Sequence, residues 1–297
     1  MVASRFLKGF EVQKANLPGI DITYATAGTG PPILLLHGHP QTHVVWRKVA
    51  PRLVQAGYSV IAPDLRGYGD SDKPESDEVH YPYSKRVMAQ DQIALMARLG
   101  YETFSVVGHD RGGRVAHRLA LDYPQAVKRL IVLDIAPTQT MYAQTDQEFA
   151  TRYFWWFFLI QPDGLPEKMI GSDPEYFLRR HIAGQVKIPG SVDDDAILEY
   201  LRSYKNPATI HAICEDYRAS AGIDLKHDAE DADARITAPL LAIWGAKSVV
   251  GALYDVAATW QEKATQVTGV SLACGHAIPE EVPDELTAEI LDFFSTP

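Results

Sequence analysis

The chain has 297 residues, 46% of them hydrophobic and 22% charged, with 38 acidic against 28 basic side chains and a net charge of −10 at neutral pH. That balance argues against a nucleic-acid or anionic-membrane partner, since both demand an excess of Lys and Arg. The length allows one large domain or two small ones, and a core that needs neither disulfide nor metal; Cys214 and Cys274 make no framework, and no apolar run has the length of a signal peptide or a membrane span. A soluble, cytoplasmic protein without cofactor is expected.

In chain order, short apolar runs ending in Gly, Asp or Pro alternate with helical patterns. Ile33–Leu36, Tyr58–Ala62, Phe104–Val107, Leu130–Leu133 and Leu240–Trp244 read as parallel strands buried on both faces. The segment after Ser84 reads as a helix with Met88, Leu95, Met96 and Leu99 on one face. Another is expected near the C-terminus, through Leu286, Ile290 and Phe293. Strand–helix alternation predicts an α/β fold with a mostly parallel sheet flanked by helices. From about residue 137 to 236 no strand-like run occurs, but aromatics are dense, as in Tyr153-Phe154-Trp155-Trp156-Phe157-Phe158. This stretch is expected to be an inserted helical cap, with 1–136 and 237–297 forming the core. The acidic run 224–235 reads as a solvated return from cap to core.

The most informative stretch is Gly108-His109-Asp110-Arg111-Gly112-Gly113-Arg114, after a strand and opening a helix. It has the Gly-x-nucleophile-x-Gly spacing of a sharp strand-to-helix turn, with Asp110 in the central place. A carboxylate that displaces a leaving group from carbon becomes an ester whose carbonyl carbon accepts an activated water. A serine would become an ether, which resists that second step. Asp110 therefore points to alkyl transfer followed by ester hydrolysis. Arg111 and Arg114 lie three apart on the following helix, share a face, and read as a clamp for a small carboxylate.

Over nearly its full length the chain resembles α/β-hydrolase-fold enzymes with an Asp nucleophile, and among these the haloacetate (fluoroacetate) dehalogenases. The motifs carrying the resemblance are His37-Gly38-His39-Pro40-Gln41, Asp64-Leu65-Arg66-Gly67-Tyr68-Gly69-Asp70-Ser71, His109-Asp110-Arg111-Gly112-Gly113-Arg114 and Gly275-His276. The resemblance implies His276 as the base for ester hydrolysis, and backbone N–H groups of His39 and Arg111 as oxyanion donors. Many relatives carry the acid that orients this base shortly after a strand ending in Trp-Gly. Here Trp244-Gly245-Ala246-Lys247-Ser248-Val249 offers none, and Asp134, 24 residues after Asp110, takes the role instead. Trp156 and Tyr217 correspond to halide-binding residues of the family. Trp155 stands where members competent on fluoride commonly carry His, which predicts chloride and bromide over fluoride.

The reading that results is hydrolysis of a small 2-haloacid, without metal or cofactor, to a 2-hydroxy acid and halide. Homodimer formation is expected by family analogy. An epoxide hydrolase using the same Asp-His-Asp set, with Tyr217, Tyr142, Tyr153 or Tyr204 protonating the epoxide oxygen, is the nearest alternative. A non-catalytic small-molecule receptor on the same fold is the alternative of another class.

Overall fold

A computed structural model describes residues 2–295. Nine strands form one sheet in the order β1-β2-β3-β5-β4-β6-β7-β8-β9. They are β1 (Val2–Ala3), β2 (Glu11–Leu17), β3 (Ile20–Ala27), β4 (Pro32–Leu36), β5 (Ser59–Pro63), β6 (Phe104–His109), β7 (Val127–Leu133), β8 (Leu240–Gly245) and β9 (Val267–Leu272). From β5 to β9 every neighbouring pair is parallel, so the expected α/β class holds. The five apolar runs are β4 to β8, and they are apolar throughout because the sheet is covered on both faces. Leu34, Leu36, Val106 and Val132 enter one core, while Ile33, Leu35, Val107, Ile131 and Leu133 enter the other.

Helices α1 (Ala50–Gln55), α2 (Lys85–Arg98) and α3 (Arg111–Asp122) link the first parallel strands. Ser84 caps α2 by accepting from the Val87 N–H, as a Ser before a helical pattern should. After β7 come only helices until β8: α4 (Thr138–Ala143), α5 (Gln147–Arg152), α6 (Trp155–Phe158), α7 (Leu165–Ser172), α8 (Pro174–Gln185), α9 (Asp194–Tyr204), α10 (Pro207–Ala221) and α11 (Ile223–Glu230). Their aromatics, including Phe149, Tyr153, Trp156, Tyr204 and Tyr217, belong to the same apolar cluster as one face of the sheet. α12 (Val249–Leu253) and α13 (Val256–Gln261) precede β9, and α14 (Ile278–Glu281) and α15 (Pro283–Ser295) follow it. Leu286 and Ile290 of α15 pack with Trp46 against the opposite face.

Three features depart from the sequence reading. β2 and β3 form an antiparallel hairpin, paired from Glu11↔Thr26 to Leu17↔Ile20, which no apolar run announces because β2 is half exposed. β9 is an edge strand with no fully buried residue, so it lacks the same signal. The acidic run is a solvated return only in part: Glu230 and Asp233 are exposed, but Asp224 is 4% exposed and accepts from the Lys85 N–H at 2.8 Å. Asp231 accepts from Arg86 and Arg118 at 2.7 and 2.6 Å. The acids are spaced to meet a basic face made by α2 and α3.

The chain crosses from β5 on one side of β4 to β6 on the other. Such a reversal of strand order opens a crevice at the carboxyl ends of the strands. The segments after β4, β6, β7 and β9 all converge there.

Candidate active site

Asp110 follows β6 with φ 48° and ψ −114°, a conformation that costs energy for any residue with a Cβ. The turn closes because its neighbours have no side chain. A Cβ on Gly112 would lie 2.4 Å from the His37 carbonyl oxygen, and one on Gly38 would lie 2.5 Å from Asp110 Cβ. The strained turn lifts the Asp110 carboxylate to the head of α3. There Oδ1 accepts the His39 backbone N–H at 3.0 Å. Of the two expected oxyanion donors, His39 is thus placed on the carboxylate; the Arg111 N–H makes no such bond among the described residues.

His276, beyond β9, presents Nε2 at 3.7 Å from Asp110 Oδ2 and Nδ1 at 2.6 Å from Asp134 Oδ2. The other Asp134 oxygen accepts from the Gly245 N–H at 2.9 Å and the Ser248 hydroxyl at 2.7 Å. Ser248 occupies the place where an acid is missing from the sequence. It supports the acid supplied by β7 instead, while its own oxygen accepts the Gly251 N–H. Burial alone would lower the His276 pKa, but the bond and charge of Asp134, then the charge of Asp110, raise it above the ordinary value. For Asp110 burial works upward, and His276, His109, Arg111 and Arg114 together pull it well below the usual carboxylate range.

The two arginines are both buried, at 1% and 3% exposure, yet differently engaged. Arg111 forks onto Asp216 of α10, Nε to Oδ2 at 2.9 Å and Nη2 to Oδ1 at 2.7 Å, and Tyr217 lies over its guanidinium. Lys85 and the Tyr68 hydroxyl also donate to Asp216. Nη1 of Arg111 is buried without a partner among the described residues. Arg114 donates to the Ala136 carbonyl at 3.2 Å, Thr138 Oγ1 at 2.8 Å and Met141 Sδ at 3.2 Å, and its Nε has no partner. Among the described residues it forms no ion pair. Burial and then Arg111 push its pKa down, with Asp110 opposing them.

Trp156 lies against Arg114, with the guanidinium carbon 4.7 Å from the ring centroid, and its Nε1–H is a buried donor without a partner among the described residues. Tyr217 packs 6.5 Å from Trp156 between ring centroids. Trp155 is placed elsewhere: its ring contacts are with Tyr153, Phe154 and His181, none with either arginine or with Tyr217. The structure thus gathers Asp110, His276, Asp134, both arginines, Trp156 and Tyr217, and sets Trp155 on an adjoining wall.

An acid at a strained elbow, a buried His on a second acid and a backbone donor on the first make a nucleophile-and-base arrangement on a parallel sheet. A family model described as the alpha/beta hydrolase fold matches residues 31–283. The chain belongs to that family. It is 39% identical to a fluoroacetate dehalogenase of Burkholderia sp over 97% of this chain and 95% of that one. It is 35% identical to a soluble epoxide hydrolase of Corynebacterium sp. (strain C12), over 95% and 96%. A crystal structure from Salmonella enterica, provisionally described as an acyltransferase, superposes with a TM-score of 0.97 at 58% identity, covering 98% and 97%.

This α/β hydrolase also has site residues that sequence reasoning missed. Asp216 directly precedes Tyr217 in the sequence Glu215-Asp216-Tyr217-Arg218, and that adjacency was the available signal. His181 of α8 lies 4.6 Å from the His39 ring and 4.7 Å from Trp155 between centroids. Its spacing with Phe177 and Gln185, four residues either way, marked one helix face but no chemistry. A cavity of about 650 Å³ reaches His276 and is walled by Trp155, Tyr153 and His181. Elsewhere, Glu167, His211 and Glu215 approach one another as metal ligands would, but Arg218 already donates to both carboxylates at 2.7 Å. Among the described residues no helix is long and apolar enough to cross a membrane.

Proposed function

We propose that this α/β hydrolase dehalogenates small 2-haloacids through an ester on Asp110. The observation that carries the reading is Arg114, a buried guanidinium one turn beyond Asp110 with neutral acceptors only. A desolvated cation needs an anion to complete it, and a substrate carboxylate supplies one beside the nucleophile. The unpartnered Nη1 of Arg111 adds a second donor. A neutral substrate requires neither. The dehalogenase relative agrees with this class of substrate.

In the first step an Asp110 oxygen forms a bond to C2, and the C2–halogen bond breaks with its electron pair leaving on the halide. Trp156 Nε1–H, without a partner among the described residues, and the Tyr217 hydroxyl are the proposed donors that strengthen as this charge develops. In the second step water adds to the Asp110 carbonyl carbon and gives its proton to His276. The His39 N–H holds the developing oxyanion. Collapse breaks the ester, the released alkoxide takes the proton from His276, and a 2-hydroxy acid leaves; Asp110, left as a carboxylic acid, gives its remaining proton to solvent and is again a carboxylate. The first step also prepares the second. Esterification removes the Asp110 charge, one of the charges that keep the His276 pKa up, and so favours the free base when it is needed. The helices of 137–236 serve as a cap that excludes bulk water, and no metal or cofactor is required by these steps.

The test is halide release from fluoro-, chloro- and bromoacetate, with an epoxide panel alongside. His276→Asn should form the ester and fail to hydrolyse it, so the intact mass should rise by one carboxymethyl group. Halide release with an unmodified chain would overturn the two-step route. Epoxide hydrolysis is the second reading, favoured by two buried phenols, Tyr153 and Tyr217, that both feel the Asp110 charge. Diol formation without halide release would select it.

A further inference from the structure

The cavity that reaches His276 is far larger than a haloacetate needs. At about 650 Å³ it falls within the range, roughly 300–1,000 Å³, that buries drug-sized ligands. Phe154, Trp155, Phe158, Met169, Tyr176 and Phe177 line it, drawn from three helices of the insertion. Phe158 and Phe177 lie 5.9 Å apart and Trp155 meets His181 edge-on at 4.7 Å, so the wall is a continuous aromatic surface. Phe154, Met169 and Tyr176 remain more than half exposed at its mouth. Nothing in the chemistry at Asp110 calls for this surface.

Charge at the mouth runs against the rest of the molecule. On a chain of net charge −10, the cavity is bordered by Arg152, Arg180 and Lys187 against a single acid, Asp173. Arg152 is matched by Glu148 at 2.9 Å. Arg180 and Lys187 form no ion pair among the described residues. An apolar wall under a cationic rim attracts an amphipathic anion: the rim draws in the carboxylate and the wall holds what is attached to it.

We propose that this cavity is a second substrate subsite for an apolar arm at C2, so that the preferred substrates are 2-halo acids carrying an aryl or branched alkyl group. This rests on the reading of Arg114 as the carboxylate receptor. With the carboxylate on Arg114 and C2 at Asp110, the cavity begins at His276, whose Nε2 is 3.7 Å from the nucleophile. Trp155 and His181 line the cavity, and His181 also packs on His39, whose N–H binds the Asp110 carboxylate, which gives Trp155 a role in substrate size.

The proposal is tested by kcat/KM for 2-chloro-2-phenylacetate against chloroacetate, together with calorimetric binding of phenylacetate against acetate. The aryl compounds should be favoured by about 10- to 100-fold in each comparison, the gain expected from burying one ring. The exposed pair Met169→Ser and Tyr176→Ser, changed together, should lower the aryl advantage several-fold and leave chloroacetate turnover unchanged. Equal binding of phenylacetate and acetate, or an aryl advantage indifferent to the double variant, would overturn the subsite. Tight, vestibule-dependent phenylacetate binding without turnover of any haloacid would keep the subsite and overturn the dehalogenase reading.

Discussion

Arg111 and Arg114 are one helical turn apart, equally buried, and open onto different worlds. On the Arg111 side the protein has completed its own electrostatics: Asp216 accepts from Arg111, Lys85 and Tyr68, which come from three separate segments. On the Arg114 side it has left a cation among a carbonyl, a hydroxyl and a thioether. Buried charges are kept where they hold structure together or where they do chemistry. The contrast supports an architectural role for the first arginine and the proposed carboxylate-binding role for the second. It also narrows the clamp expected from helical spacing alone, because Arg111 offers one free nitrogen rather than a full fork.

The largest expected effect is at Asp216. Asp216→Asn strips the charge that holds Arg111 and Lys85, and breaking a buried network of this kind costs about 3–5 kcal/mol. Urea unfolding should show the loss as a lower midpoint with an unchanged slope. A midpoint within error of the parent would mean that the Arg111 side is not structural, and the contrast would fall.

At Arg114 the signature should reverse. Arg114→Met removes an unpaired buried charge, so stability should hold or rise, while kcat/KM for chloroacetate should fall roughly 30- to 3,000-fold. Arg114→Lys should recover little, since a point charge does not reproduce the guanidinium fork. Unchanged kcat/KM in Arg114→Met would remove the main support for an anionic substrate.

A smaller effect separates Asp110 from His276 by pH. The folded-state pKa of His276 is raised above its ordinary 6.5. Its contribution to stability is therefore fully present below about pH 6.5 and is lost as pH rises through the higher folded value. Ester hydrolysis needs the neutral base and should rise over an interval displaced downward from that one, because the ester has lost the Asp110 charge that helps to hold the His276 pKa up. Asp110, held low, contributes stability above its ordinary 3.8 and loses it as pH falls through its depressed value. Single-turnover ester hydrolysis should climb with pH while the His276 share of stability declines. Parallel changes would show that another group controls hydrolysis.

The difference between the two sides also explains what was legible in the sequence. Asp110, Asp134 and His276 stand at strand ends, where a local motif fixes both the position and the direction of a side chain. The five central strands were legible for a related reason, since burial on both faces writes an unbroken apolar run. The insertion is another matter. Which of its aromatics face Arg114, and which face the adjoining cavity, depends on how short helices pack against one another, and no local period records that. Asp216 and His181 owe their places to such packing. The hairpin of β2 and β3 escaped because its exposed face dilutes the apolar signal, and the acidic run 224–235 misled because its basic partners lie more than a hundred residues away.

Trp155 is the sharpest case, because sequence correspondence set it beside Trp156 in the halide pocket whereas its ring packs on His181 and Tyr153. Trp156 Nε1–H remains the donor beside Arg114. Fluoride is the poorest leaving group of the three halides and the most strongly hydrated, so it depends most on enclosing donors. A chamber with Trp156 and Tyr217 as its donors should still favour chloroacetate and bromoacetate. Trp155→His then restores an imidazole on the adjoining wall, near enough to repack but not in contact with the arginines. One added hydrogen bond nets about 0.5–1.5 kcal/mol, so the ratio of fluoroacetate to chloroacetate kcat/KM should shift by no more than about tenfold. The same variant opens the wall of the cavity and should change the preference for bulky C2 groups more than the preference among halogens. Measuring both ratios on one preparation decides the point: a shift of a hundredfold toward fluoride, with no change in substrate size preference, would return Trp155 to the halide pocket.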